Sequence, residues 1–247
     1  MSELVKVGQI YPTKNGTLTV LEYVKAIEIL VQHNDEYGHK MWTRADFIRK
    51  GSVRNPFDKH ENGHSFSGYG YCHTIDSNLR GVIYSLWRGV IQRTLTDSYD
   101  KRRTRNSYED ATLCNDWYNF QIFCKFVNEN MYYRRGFQLD KDLLIRGNKH
   151  YSPETCCFLP QVINGVIAIN YETGNGLPVG VNPKYDYYEA AISYRGKRKR
   201  IGMYATPEEA SAAYVVAKEA YVKELALEWK DSIEPRAFES LMNWTVY

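Results

Sequence analysis

The most constraining stretch of this sequence is YYEAAISYRGKRKRIGMYATPEEASAAYVVAKEAYVKELA, residues 187–226. It spells a hairpin followed by a helix whose start is fixed by local chemistry. Thr206 is suited to the N-cap, Pro207 to the first helical position, and Glu209 falls three residues after the cap, where its side chain closes a capping box. Glu208 and Glu209 also sit at the positive end of the helix dipole. Ala210, Ala213, Tyr214, Ala217 and Tyr221 then recur at helical spacing, a stripe rich in small residues that lets the helix lie close to a sheet. The hairpin turns at RGKR, with Gly196 free to take a positive φ.

Strand alternation divides the two sheet faces. Ala190, Ile192 and Tyr194, with Ile201 and Met203 on the next strand, are expected to face the helix. Glu189, Ala191, Ser193 and Arg195, with Arg198, Arg200 and Gly202, are expected to face away, and Lys197 and Lys199 to lie beside the turn. One helix covers one face. The other therefore displays arginines free to reach outward, and a three-stranded sheet with a basic face can enter the major groove of double-stranded DNA. The bland alternative is a solvated basic hairpin. The net charge of +3 gives no global signal for a polyanion, so local clusters carry the reading: RGKRKR (195–200) and KRRTR (101–105).

The rest of the chain divides by hydrophobic period. Residues 1 to about 75 are β-rich, with LTVLEYV, KAIEILVQ and KMWTRADFI as short strands broken by KNG and DEYG, and a small barrel or curled sheet is expected. From Gly81 the period becomes helical. Val82, Leu86, Val90 and Ile91 form one stripe, and Trp117, Phe120, Ile122, Phe123, Phe126 and Val127 a second, both read as core helices. FQLDKDLLI reads as a strand, RGNKHYSPET as a long turn, and CCFLPQVINGVIAIN as a strand followed by a short helix. The expected class is α+β. The expected parts are a small β-rich N-terminal domain (1–78), a central helical plus ββα-metal-like module (79–172), a three-stranded sheet on one helix (177–232) and a C-terminal tail (233–247).

GNKHYSPETCCFLPQVIN (147–164) admits three readings: a zinc site, a nuclease site or a packed turn. Structural zinc is not expected. Cys156 and Cys157 are adjacent, which suits one ion poorly, and no His pair completes four ligands. Buried reduced thiols fit better, as does an odd count of 5 cysteines without framework spacing. A phosphodiesterase of the HNH, or ββα-metal, type, which this stretch resembles, has a carboxylate at a strand end, an amide or imidazole on the following helix, and a base to activate water. Asp140 ends a strand, and Asn164 follows 24 positions later on the candidate helix.

Two resemblances extend these readings. LPVGV (177–181), YYEAAI, GKRKRIGMY, TPEEA and AAY..A, in order over roughly 177–230, resemble the ethylene-response-factor type DNA-binding domain of plant transcription factors and of phage nucleases and integrases. The resemblance implies DNA contacts from Lys184, Ser193, Arg195, Lys197, Arg198, Lys199 and Arg200. Plant domains carry an arginine shortly after the GV, where this chain has Asn182, and Lys184 is the candidate substitute. LDKD…GNK.YSP.TC.F.P..IN with W.NF..F resembles phage HNH-type (ββα-metal) endonucleases, and PTKNG…LEY and NPF…GYG are similar to segments of the same proteins. That resemblance implies a divalent ion, Mg²⁺ (or Mn²⁺), on Asp140 and Asn164, with Asp142 as a further candidate. Lys141 stands where the HNH pattern has its basic His, which leaves Lys141 or the loop residue His150 to assist catalysis.

Three functions follow as expectations: a sequence-directed, phage-type DNA endonuclease that nicks as a monomer; a degenerate HNH relative acting as a DNA-binding regulator or as an inhibitor of a host or competing phage system; and an N-terminal domain that recruits a protein partner. No apolar run approaches the ~18–20 residues of a membrane span, and the N-terminus lacks a signal-peptide core. The expected compartment is the cytoplasm of a bacterial host.

Overall fold

The computed structural model describes residues 4–95, 110–168 and 176–246. The KRRTR cluster lies outside the described residues. The fold is α+β, and contacts divide it into two compact units. One comprises the described residues of Met1–Arg105 and Leu113–Val127, the other those of Asn106–Thr112 and Asn128–Tyr247. The expected boundaries at 78 and at 172–177 do not coincide with this division.

The first unit opens with an antiparallel meander, β1 (Ile10–Pro12), β2 (Thr17–Lys25), β3 (Glu28–His33) and β4 (Lys40–Thr43), in that spatial order. Alternation puts Leu18, Val20, Ile29 and Val31 on one face, where they are buried against Ala45 and Ile48 of α1 (Ala45–Arg49). KMWTRADFI is thus half strand and half helix. The unit also holds α2 (Ser77–Thr94), capped by the Asp76 carboxylate, and α3 (Phe120–Glu129). The buried stripe of α2 is Ile83, Trp87, Val90 and Ile91; Val82 and Leu86 flank it. On α3 Ile122 is exposed and Gln121 is buried in its place, donating to Ser67 O (2.8 Å) and accepting from Cys72 N–H (2.9 Å). Trp87 Nε1 donates to Trp117 O (2.7 Å), which ties α2 to the segment that leads into α3.

The second unit contains β6 (Phe137–Asp140), β8 (Cys157–Pro160) and α4 (Gln161–Ile167), together with Thr112 of β5 (Thr112–Leu113) and β7 (His150–Tyr151). It then contains a three-stranded sheet of β9 (Val181–Lys184), β10 (Tyr187–Tyr194) and β11 (Lys197–Tyr204), with β10 in the centre, and the helices α5 (Pro207–Glu228) and α6 (Pro235–Met242). The expected capping box is present: Thr206 Oγ1 accepts from Glu209 N–H (3.2 Å) and Glu209 Oε2 from Thr206 N–H (3.3 Å). Gly180 enters β9 at φ +80°, and a Cβ there would stand 2.0 Å from the Tyr214 ring of α5, so that ring lies directly on the Gly180 backbone.

One core runs through the whole unit. Cys157 and Leu159 of β8 and Ile163 of α4 pack with Ile192 of the sheet, with Tyr214, Tyr221, Val222 and Leu225 of α5, and with Ile233, Ala237 and Leu241. Residues 233–247, expected as a tail, therefore supply a core helix. Arg236 fastens it by donating to the carbonyls of Pro153 (3.0 Å), Glu154 (2.7 Å) and Cys156 (2.8 Å). Among the described residues no helix is long and apolar enough to cross a membrane.

Leu241 is fully buried, so Leu241→Ala is expected to lower unfolding free energy by about 2–5 kcal/mol, as measured by urea unfolding followed by tryptophan fluorescence. An unchanged midpoint would return 233–247 to the status of a tail.

Candidate nuclease centre and nucleic-acid interface

β6 and β8 pair antiparallel with Gln138 opposite Leu159 and Asp140 opposite Cys157. Opposed residues share a face, and Cys157 and Leu159 lie in the core with Ile163 of α4. Gln138 and Asp140 are therefore on the side that α4 covers. Asn164, on α4, donates from Nδ2 to Gln138 Oε1 (2.6 Å). The carboxylate and the amide named by the sequence are thus brought to one side of a strand–strand–helix unit. Gln138, which holds the amide, was missed, although counting back two residues along the strand from Asp140 reaches it.

Asp140 Oδ1 accepts the N–H groups of Asp142 (2.9 Å) and Leu143 (2.7 Å), a turn that ends the strand. Oδ2 has no hydrogen-bond partner among the described residues, nor has Asn164 Oδ1. Both are hard oxygen donors of the kind Mg²⁺ and Mn²⁺ take. Burial pushes the Asp140 carboxyl up from the ordinary carboxylate range; the Leu143 N–H opposes this and the Asp142 charge adds to it. Among the described residues no three of His, Cys, Asp and Glu converge on a point where they could hold an ion. Cys156 and Cys157 are buried and join no disulfide among the described residues, and burial together with the Asp140 charge pushes the Cys157 thiol up.

Lys141 and Asp142 are placed differently from their expected roles. The Lys141 side chain is only 4 % exposed and its ammonium is ion-paired with the Asp142 carboxylate, which is 57 % exposed. It also donates to Asn148 O (3.1 Å), and Asn148 Nδ2 returns a bond to Lys141 O (2.8 Å). An ammonium donating to a carboxylate and a carbonyl has no lone pair with which to take a proton from water, so Lys141 acts here as a staple for the 141–148 loop. Asp142 is committed to that ammonium rather than to the side of Asp140. His150 lies on a two-residue strand, not in an open loop. Its Nδ1 is 2.8 Å from Thr112 Oγ1, and its backbone is gripped by Asn148 and Thr155. Nε2 has no partner among the described residues, the arrangement of an oriented imidazole with one nitrogen left to work.

In the three-stranded sheet α5 covers a single face, where Ala190 and Ile192 are buried. On the opposite face register places Lys184 beside Tyr187, Asn182 and Met203 beside Glu189, Arg200 beside Ala191 and Arg198 beside Ser193. A bulge at Ile201, where the register shifts between Ala190 and Ala191, reverses the expected sides of the next two residues. Met203 is outward and Gly202 inward. Four of the seven expected contact residues (Lys184, Ser193, Arg198 and Arg200) share the outward face. Arg195 does not. It takes φ +50° in the turn, and its guanidinium bonds Glu224 (3.0 Å) and Glu228 (2.7 Å) of α5. Lys197 and Lys199 pair with Tyr194 and Ile192 on the helix side, with Lys199 Nζ 4.8 Å from the centre of the Tyr194 ring. Arg198 is also ion-paired, with Glu189 on its own face.

No family model, curated protein or solved structure matches this chain.

Asp140→Asn keeps the Oδ1 acceptor and removes the charge. A carboxyl raised in the folded state contributes stability below its unfolded pKa and loses it as pH rises through the folded value. The melting temperature of Asp140→Asn is therefore expected to exceed that of wild type at neutral and alkaline pH, with the gap closing below about pH 4. A less stable Asn variant at neutral pH would mean that the carboxylate is there for the fold.

Proposed function

We propose that the chain is a DNA-binding endonuclease of the HNH, or ββα-metal, type, in which the C-terminal sheet reads double-stranded DNA of the kind encountered by a phage-encoded protein in a bacterial cytoplasm. The observation that carries this reading is the β6–β8–α4 unit, with Asp140 at a strand end and Asn164 on the following helix, turned to the same side and each with one oxygen unused. Those two residues would hold Mg²⁺ or Mn²⁺. A divalent ion so held supplies electrophilic stabilisation to the 3′-oxygen that leaves as water attacks in line. His150, oriented by Thr112, is the group that takes the proton of that water. The duplex is held by the outward face of β9–β11, where Arg198, Arg200 and Lys184 supply charge and hydrogen-bond donors. One centre cuts one strand at a time, so the expected product of a monomer is a nick. A protein partner bound by the N-terminal unit is a further part of the proposal.

A second reading is favoured by Lys141. The position where HNH enzymes place their base holds an ion-paired ammonium, which is the state expected of a degenerate nuclease that binds DNA as a regulator, or as an inhibitor of a host or competing phage system.

Incubation of the protein with duplex DNA and Mg²⁺ or Mn²⁺ separates the two. The endonuclease reading predicts strand breaks that Asp140→Ala abolishes and that His150→Ala slows by about 10²–10⁴-fold. DNA retained without breaks, or breaks made equally well by Asp140→Ala, would leave the binding protein alone.

A further inference from the structure

Glu189 is the one acidic side chain on the outward face of the sheet, and it occupies the middle of that face. It lies on the central strand with Asn182 on one side and Met203 on the other. A carboxylate there works against attraction of phosphate. It is nevertheless withdrawn from water: its side chain is 12 % exposed, whereas Arg198, ion-paired to it through Nη2, is 59 % exposed. The register shows how the pair forms. Arg198 stands opposite Ser193, four residues along β10 from Glu189, so its side chain reaches back along the strand to meet the carboxylate. An ion pair whose arginine is more than half exposed adds little to stability. What it does provide is direction, since a guanidinium fixed along one edge presents its remaining N–H groups in one plane.

We infer that Glu189 is a positioning residue for base recognition, holding Arg198 so that its free edge meets the O6 and N7 acceptors of guanine in the major groove rather than the nearest phosphate. The inference rests on the DNA-binding reading above and assigns the substrate feature this part of the sheet selects, a G·C pair at one fixed place in the site. Released from Glu189, Arg198 becomes a phosphate contact. Affinity for DNA in general then rises while discrimination falls, the opposite of what loss of a stabilising ion pair alone would do.

The test begins with selection of a preferred duplex from a randomised pool by the full chain carrying Asp140→Ala, so that cleavage does not intervene. Affinity is then measured by fluorescence anisotropy for that duplex and for variants with single base pairs replaced. The parent is expected to lose about 5- to 100-fold in affinity at one G·C pair. Adding Glu189→Gln is expected to bring that ratio close to one, to tighten binding to unrelated duplexes and to steepen the salt dependence by about one phosphate contact. In an Arg198→Ala background Glu189→Gln is expected to change discrimination no further, because the carboxylate acts through that arginine. Thermal melting of each variant checks the fold, and Glu189→Asp serves as the conservative variant, retaining more of the ratio than Gln. An unchanged ratio in Glu189→Gln overturns the inference and leaves DNA binding standing. If no duplex is selected at all, the DNA-binding reading falls, and this inference falls with it.

Discussion

Burial of α5 is the interaction on which the second unit depends. Its first half lies on the three-stranded sheet, with Ala210 and Tyr214 against Ala190, Val181 and the backbone of Gly180. Its second half, through Tyr221, Val222 and Leu225, closes over Cys157, Leu159 and Ile163 of the strand–strand–helix unit, with Ile233, Ala237 and Leu241 completing the seal. A helix with small residues at one end and large ones at the other can approach a sheet closely and still fill a deeper core. The basic sheet face and the side holding Asp140 and Asn164 are therefore backed by one shared core within the unit. In the proposed function this fixes the distance between the place where DNA is read and the place where it is cut.

Charge is managed differently at the two places. Around Asp140 the cost of burial is only partly offset: two backbone N–H groups satisfy one oxygen, the second is left without a partner, and the carboxyl is pushed up. A carboxyl that burial pushes up carries a cost, and sites that bind something are where such costs are tolerated. Around Lys141 the opposite holds. The buried ammonium has a carboxylate and a carbonyl, and the loop it secures carries His150 into place through Asn148. On the sheet, Arg195 is drawn off the outward face by two glutamates of α5, while Arg198 stays on that face but is tethered. Arg200 and Lys184 complete its basic surface.

What could be read from the sequence was what is local. Thr206, Pro207 and Glu209 announce the start of α5 because a capping box is closed by atoms within four residues. Asp140 at a strand end and Asn164 on a short helix were legible because strand and helix periods place them. The bulge at Ile201 was not. One extra residue inverts the alternation of RIGMY, and nothing in those letters distinguishes the two registers. The turn of Arg195 toward Glu224 and Glu228 depends on partners about thirty positions away. The joining of α2 to the segment before α3 rests on non-local contacts such as Trp87 with Trp117. Residues 233–247 did carry a signal: Pro235 at a helix start and Ala237 and Leu241 four apart. The run is short, and only the core it enters makes it a helix.

The central claim is that the face of β9–β11 turned away from α5 is the surface that meets duplex DNA. The most direct measurement is anisotropy of a labelled duplex titrated with wild type and with the double charge reversal Arg198→Glu, Arg200→Glu, repeated across salt concentrations. The account predicts weaker binding and a salt slope shallower by about two contacts in the double variant. Equal affinity with an unchanged slope would contradict it.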